Sequence, residues 1–145
     1  MFRMIMSVLL IGIVPFAALS AEVSFRISGL DDGQGQVMVA MFSAQQKSFF
    51  PKGGKEAFCY QVTPRQEKKT TLVCKDVPPG QYAAFAFYDA NNNGEMDHNL
   101  IGLPKEKFGF SNGAKGSFGP PDFDDAVFSV DQGSVVVSIH VASFF

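Results

Sequence analysis

The chain has 145 residues, with 12 basic and 14 acidic side chains and a net charge of −2. Without a basic cluster, that balance excludes charge-driven nucleic-acid binding. The length suits one domain with one core once an N-terminal leader is set aside.

The leader carries one charge, Arg3, then an apolar run over residues 5–16, then Ala17, Ala18, Leu19, Ser20 and Ala21. A short positive start, a greasy stretch and small residues at a cleavage point make a secretory signal. Ala18 and Ser20 suit the −3 and −1 subsites, so residues 1–20 are expected to be removed, with cleavage after Ala21 as the alternative. A membrane anchor takes about 20 apolar residues; this run is shorter and is broken by Gly12 and Pro15. No cysteine stands at the cleavage point to carry a lipid. The expectation is a periplasmic or secreted domain over residues 21–145, with no membrane span.

Period-two alternation dominates the chain beyond the leader, the mark of half-buried strands. Val23, Phe25 and Ile27 alternate with Ser24, Arg26 and Ser28. After the turn Asp31-Asp32-Gly33, residues 37–42 are apolar on both faces, as in a central strand. Residues 43–58 leave room for a short helix, interrupted by Pro51 and Gly53-Gly54.

Next come Cys59 and Cys74, the only cysteines. An even count in an exported chain favours a disulfide. Residues 59–63 and 70–74 read as two strands joined by a polar stretch, and a hairpin centred on Gln66 and Glu67 sets Cys59 opposite Cys74. No Cys-x-x-Cys is present to argue for redox catalysis.

The turn Val77-Pro78-Pro79-Gly80 leads into a strand over residues 81–88. The chain ends on strands at 126–130 and 135–141 around the turn Asp131-Gln132-Gly133. About seven strands with turns every ten or so residues predict an all-β, antiparallel, Ig-like or transthyretin-like sandwich.

One long segment, residues 89–125, shows no strand alternation. Loops of this length are usually functional or disordered, and disordered tracts are poor in aromatics. Phe108, Phe110, Phe118 and Phe123 therefore predict an ordered loop packed onto the end of the sandwich. The same four residues are the candidate binding surface.

The loop opens with Asp89-Ala90-Asn91-Asn92-Asn93-Gly94-Glu95-Met96-Asp97. Oxygen side chains at alternate positions followed by Gly at the sixth match the first half of a calcium loop. Asp89, Asn91 and Asn93 supply side-chain oxygens, Glu95 a main-chain carbonyl and Asp97 the ninth position. The twelfth, ordinarily a bidentate Glu, is Leu100, and a strand precedes the loop where an EF-hand has a helix. Asp122, Asp124 and Asp125 are candidate extra donors. The competing reading is an Asx-rich turn that bonds its own main chain.

Several ordered motifs carry a family resemblance: Val77-Pro78-Pro79-Gly80-Gln81-Tyr82-Ala83, Asp89 to Gly94, Ile101-Gly102-Leu103-Pro104-Lys105-Glu106, Phe108-Gly109-Phe110-Ser111-Asn112, and Gly119-Pro120-Pro121-Asp122-Phe123-Asp124-Asp125-Ala126. Together they resemble the bacterial "domain of unknown function 2141" family. The resemblance implies a small secreted or periplasmic β-sandwich with no established activity. The Pro-Gly-x-Tyr turn is also similar to that of transthyretin-like and carboxypeptidase-regulatory-like sandwiches, an analogy of fold alone. The cysteine pair is not part of the family pattern.

The leading functional expectation is a cell-envelope binding or scaffold module, calcium-stabilised, taking a small molecule, glycan or envelope protein on its long loop. The alternatives are an assembly accessory of an envelope system and a hydrolase built on Asp97, Glu106 or Asp124 with His98. The chain has no nucleophile elbow, zinc motif or Ser/His/Asp pattern, so it is not expected to be an enzyme. His140 lies in an alternating strand and is expected to face solvent.

Overall fold

The computed structural model describes residues 19–144. The predicted leader lies outside these residues, except for Leu19 and Ser20, which are exposed.

The first strand, β1 (Ala21–Ser28), alternates as its sequence does, burying Ala21, Val23, Phe25 and Ile27. β2 (Gln36–Ser43) buries both faces, because sheet and covering segments enclose it. Two short 3-10 turns, Ala44–Phe49 and Gly54–Glu56, occupy the predicted short-helix region. Then come β3 (Cys59–Pro64), β4 (Lys69–Val77) and β5 (Gly80–Asp89). β6 (Lys107–Phe110), a turn at Ser111–Gly113, the one-turn helix α1 (Phe123–Ala126), β7 (Phe128–Val130) and β8 (Gly133–His140) complete the chain.

The strands form two packed sheets. A three-stranded sheet runs β4-β1-β8, and a five-stranded sheet runs β3-β2-β5-β6, with β7 also pairing β5. The expected sandwich is present, with one parallel pair: β8 lies alongside β1 from Ala21↔Gly133 to Ser28↔His140. Parallel pairing needs a long connection, and almost the whole domain separates these two strands. The inner faces meet in a core of Val23, Phe25 and Ile27 against Val37, Val39 and Met41, with Leu72, Ile139 and the small Ala84 and Ala86 filling in. Each fully buried side chain of the larger kind contributes about 1.5–3 kcal/mol.

Cys59 and Cys74 are bridged, with Cα atoms 6.2 Å apart. The hairpin reading behind that pairing is corrected. β3 pairs with β2 and β4 with β1, so the two cysteines sit in different sheets. The bridge staples the sheets along one side of the sandwich. On the other side β6 meets the end of β8 through a bridge of Phe108 with Ala142. Gly109 permits that approach, since a Cβ there would strike the main-chain oxygen of His140.

The long segment is also more regular than its sequence reads. Residues 107–110 form β6, which the alternation of only two phenylalanines is too short to announce. β6 brings Phe110 beside Phe85, and α1 brings in Phe123. These bury a second cluster, with Ala40, Phe42, Ala83 and Ala126, on the outer face of the five-stranded sheet rather than at the end of the sandwich. Phe50 wedges between them, edge-on to Phe42, Phe110 and Phe123 at 5.6, 5.9 and 6.0 Å. Phe118 is corrected: it is wholly exposed and packs on nothing in the core.

Candidate functional site

The Asp89 loop begins where β5 ends. Asp89 follows Phe85 and Phe87 on the outer face of the sheet, opposite Gln36 of β2. It is fully buried. A buried carboxylate needs several donors, and it has them: Gln36 Nε2 at 2.7 Å, the main-chain N–H of Gly94 at 2.8 Å and that of Asn93 at 3.2 Å. The chain is thereby curled back on its own first residue. Gly94, at φ +81°, allows the turn.

Around that curl the side chains of Asn91, Asn93 and Asp97 converge, the two amides meeting Asp97 through nitrogen while their oxygens bond the main chain of the turn. Asn91 and Asn93 both direct their side-chain amides at Asp97, with Nδ2 atoms 2.7 and 3.0 Å from its carboxylate. Their Oδ1 atoms accept the main-chain N–H groups of Asn93 (3.2 Å) and Glu95 (3.0 Å). Glu95 itself is exposed. Positions three, five and nine of the motif thus meet at one place, while position one anchors the turn. Among the described residues no three His, Cys, Asp or Glu side chains form a ready-made ligand set. Any cation here would rely on amide and main-chain oxygens as well.

Asp122, Asp124 and Asp125 do not reach this loop. Asp122 and Asp125 form a reciprocal capping box at the N-terminal end of α1, the Asp122 N–H donating to Asp125 Oδ2 at 3.3 Å, and Asp124 pairs with Lys47 at 3.4 Å. α1 is tied beside Ala84 through Ser111, whose Oγ bonds both Ala84 N–H and the carbonyl of Ala126. Five residues of β5, roughly 16 Å, separate Ala84 from Asp89.

The acid that does complete the loop is Glu106. Its two carboxylate oxygens accept the N–H groups of Ala90 (3.1 Å) and Asp97 (3.3 Å), clasping both ends of the turn. Burial pushes its carboxyl above the usual range; the two N–H donors oppose this, and the charges of Asp89 and Asp97 push it up further. The sequence marks Glu106 as a candidate hydrolase acid and the end of a family motif, not as the clasp of the Asp89 loop. Its role depends on β6 lying beside β5.

Beyond the clasp, a small hairpin projects, closed by a backbone bridge of His98 with Pro104. Asn99 Oδ1 accepts the N–H groups of Ile101 and Leu103, each at 3.0 Å. This leaves Leu100 and Ile101 exposed at the tip. His98 is exposed beside the loop, and His140 is exposed with Nδ1 3.2 Å from Ser28 Oγ.

The four phenylalanines do not share one surface. Phe110 and Phe123 are buried, Phe108 is half-buried against Phe85 and Phe110, and Phe118 stands alone in solvent. An open cleft of about 610 Å³ lies between the 47–52 and 120–124 segments, with Phe50, Pro51, Pro120 and Pro121 among its walls and Lys47 and Asp124 at its rim. Phe123 reaches it as part of the wall.

Among the described residues, no helix is long and apolar enough to cross a membrane. No curated protein matches the chain. A solved pilus-presented adhesin, Cpa, is similar in shape at 10% identity, covering 85% of this chain and 27% of the adhesin chain, with a TM-score of 0.34. The chain thus spans about a quarter of that structure's length. A family model described as "Uncharacterized protein conserved in bacteria" matches residues 25–138. With most of the chain covered by that model, strand β1 through strand β8, this protein belongs to the DUF2141 family.

Proposed function

We propose that this is an exported binding or scaffold module of the cell envelope whose Asp89 loop is stabilised by calcium. The convergence of Asn91, Asn93 and Asp97 beside the buried Asp89 carries the reading. Calcium is a hard cation that takes six to eight oxygens. The loop offers the carboxylates of Asp89 and Asp97, the amide oxygens of Asn91 and Asn93 and the carbonyl of Glu95. A half-turn of each Asn amide would present its oxygen to the point where its Nδ2 now meets Asp97. Calcium binding would bring charge compensation to three carboxylates gathered around one turn. With two acids among the five donors and Leu100 at the twelfth position, affinity belongs to the weak class of extracellular modules, roughly 10⁻⁴–10⁻³ M. The Cys59–Cys74 bridge supports residence in an oxidising compartment. The cleft walled by Phe50, Pro51, Pro120, Pro121 and Phe123 is the surface on which a small molecule, glycan or envelope protein is best sought.

The test is a thermal melt of the wild type and of Asn91→Ala, each in millimolar calcium and in chelator. A ligand at a hundredfold excess over Kd stabilises by about 2.7 kcal/mol. Calcium is expected to raise the wild-type midpoint and to leave that of Asn91→Ala nearly unmoved. No calcium-dependent shift in the wild type, with no heat in calorimetry, would reduce the loop to an Asx-rich turn.

A further inference from the structure

Exposed large apolar side chains concentrate at one edge of the larger sheet. Phe49, Phe58, Tyr60 and Val62 are each 39–46% exposed, and the last three lie in or just before β3. The ring of Tyr60 lies against Gly54, so the 49–54 turn abuts this edge at its Gly54 end.

β3 is the outermost strand of its sheet, with β2 on one side. Exposed edges are ordinarily guarded by Lys, Pro or bulges. β4, the neighbouring edge of the smaller sheet, has such guards: Lys69, Lys75 and a register shift opposite Ala21 and Val23, near Asp76 at φ +55°. β3 has none before Pro64, and residues 59–63 carry no charge.

The free hydrogen-bonding groups can be assigned. Arg65 donates its N–H to Gly35 O at 2.9 Å, and the register Gln36↔Pro64 sets those two residues directly opposite. Bonded and non-bonded pairs alternate along an antiparallel ladder. Thr63, Gln61 and Cys59 therefore bond β2, while Tyr60 and Val62 turn their N–H and C=O groups to the open side.

We propose that β3 is a self-association edge. Two copies pair β3 to β3, antiparallel, about a twofold axis at Gln61, joining two five-stranded sheets into one. In this register Tyr60 of each copy exchanges two main-chain hydrogen bonds with Val62 of the other, making four in all. Pro64, lacking an N–H, limits the ladder beyond them. A second copy fits because a twofold interface sets every patch against itself, so any net charge would repel. β3 itself brings no charge, and the exposed Lys75 of β4, beside Phe58 to Gln61, is the cation the two copies must splay apart. Gln61 faces its own copy across the axis, and an amide is both donor and acceptor. Tyr60 and Val62 form the aromatic and β-branched cross-strand pair that sheets favour.

The edge is short against a standard interface of about 1,600 Å², so the dimer is expected at high micromolar protein. Sedimentation velocity over a concentration series of the purified protein reads it. The wild type is expected to pass from monomer to dimer. Val62→Pro removes one outward N–H without touching any bond to β2, and is expected to stay monomeric with an unchanged circular-dichroism spectrum. Should Val62→Pro misfold, Gln61→Lys and Gln61→Glu serve: each alone is expected to be monomeric, and an equimolar mixture to form a mixed dimer. A wild type that stays monomeric at the highest concentration overturns the proposal, as does a dimer that survives both kinds of substitution. A β3 edge that binds extended peptides while the protein alone remains monomeric overturns it too.

Discussion

Glu106 Oε2 accepts the main-chain N–H of Asp97 at 3.3 Å, while burial and then the nearby carboxylates of Asp89 and Asp97 raise the Glu106 pKa. One residue thus both fastens the loop and carries charge into a crowded acidic place. Replacing it separates these effects. Glu106→Ala leaves the N–H groups of Ala90 and Asp97 without their acceptor, at a cost of about 1–3 kcal/mol, read by denaturant unfolding in chelator.

The pH dependence has a definite sign. The folded-state carboxyl of Glu106 is raised above its ordinary 4.5, chiefly by burial. The proton is held more tightly in the folded state, so this group's contribution is fully present below the ordinary value and is lost as pH rises through the raised one. In chelator, the stability of the wild type relative to Glu106→Gln is therefore expected to fall from pH 4.5 upward. A flat difference between the two would show that burial does not govern this group.

The staple between sheets predicts a thermal effect without loss of fold. A disulfide closing a loop of this size stabilises by about 3 kcal/mol, which for a domain of this length is roughly 10 °C in Tm. Reduced protein and Cys59→Ser are expected to melt lower by that amount and to keep the far-ultraviolet spectrum of the oxidised form. Thiol titration of the denatured, unreduced protein is expected to find none.

Tyr82 locks the Pro78-Pro79-Gly80 turn. Its hydroxyl donates to the carbonyl of Pro78 at 2.8 Å, and its ring packs between Phe58 and Phe128. Tyr82→Phe keeps the ring and loses one hydrogen bond, a cost of about 1 kcal/mol. Equilibrium unfolding reads this directly; a neutral substitution would show that water replaces the bond at no cost.

Exposure along residues 115–120 predicts where the chain is first cut. Trypsin is expected to nick after Lys115 before Lys105, whose N–H is bonded to Asp97 O, or Lys107, whose side chain is held by Asp31 and Gly29. Phe118→Ser is expected to change the free energy of unfolding by no more than about 0.5 kcal/mol, as ordinary surface changes do.

By itself the sequence determined the sandwich class, the cysteine pairing and the loop motif, because each is written in local terms: alternation along a strand, an even cysteine count, oxygens at alternate positions ahead of a glycine. The family resemblance likewise rests on ordered motifs along the chain, and the family model covers them. Tertiary structure decided what lies across from what. Nothing in residues 59–74 announces that the connection passes from one sheet to the other, since each strand alternates equally well in either place. Asp89 meets Gln36 and Glu106 meets the Asp89 loop only because β2 and β6 flank β5. Likewise, Phe110 and Phe123 are core while Phe118 is bare, a difference their shared chemistry does not carry. Burial is a property of neighbours, and these neighbours come from distant parts of the chain.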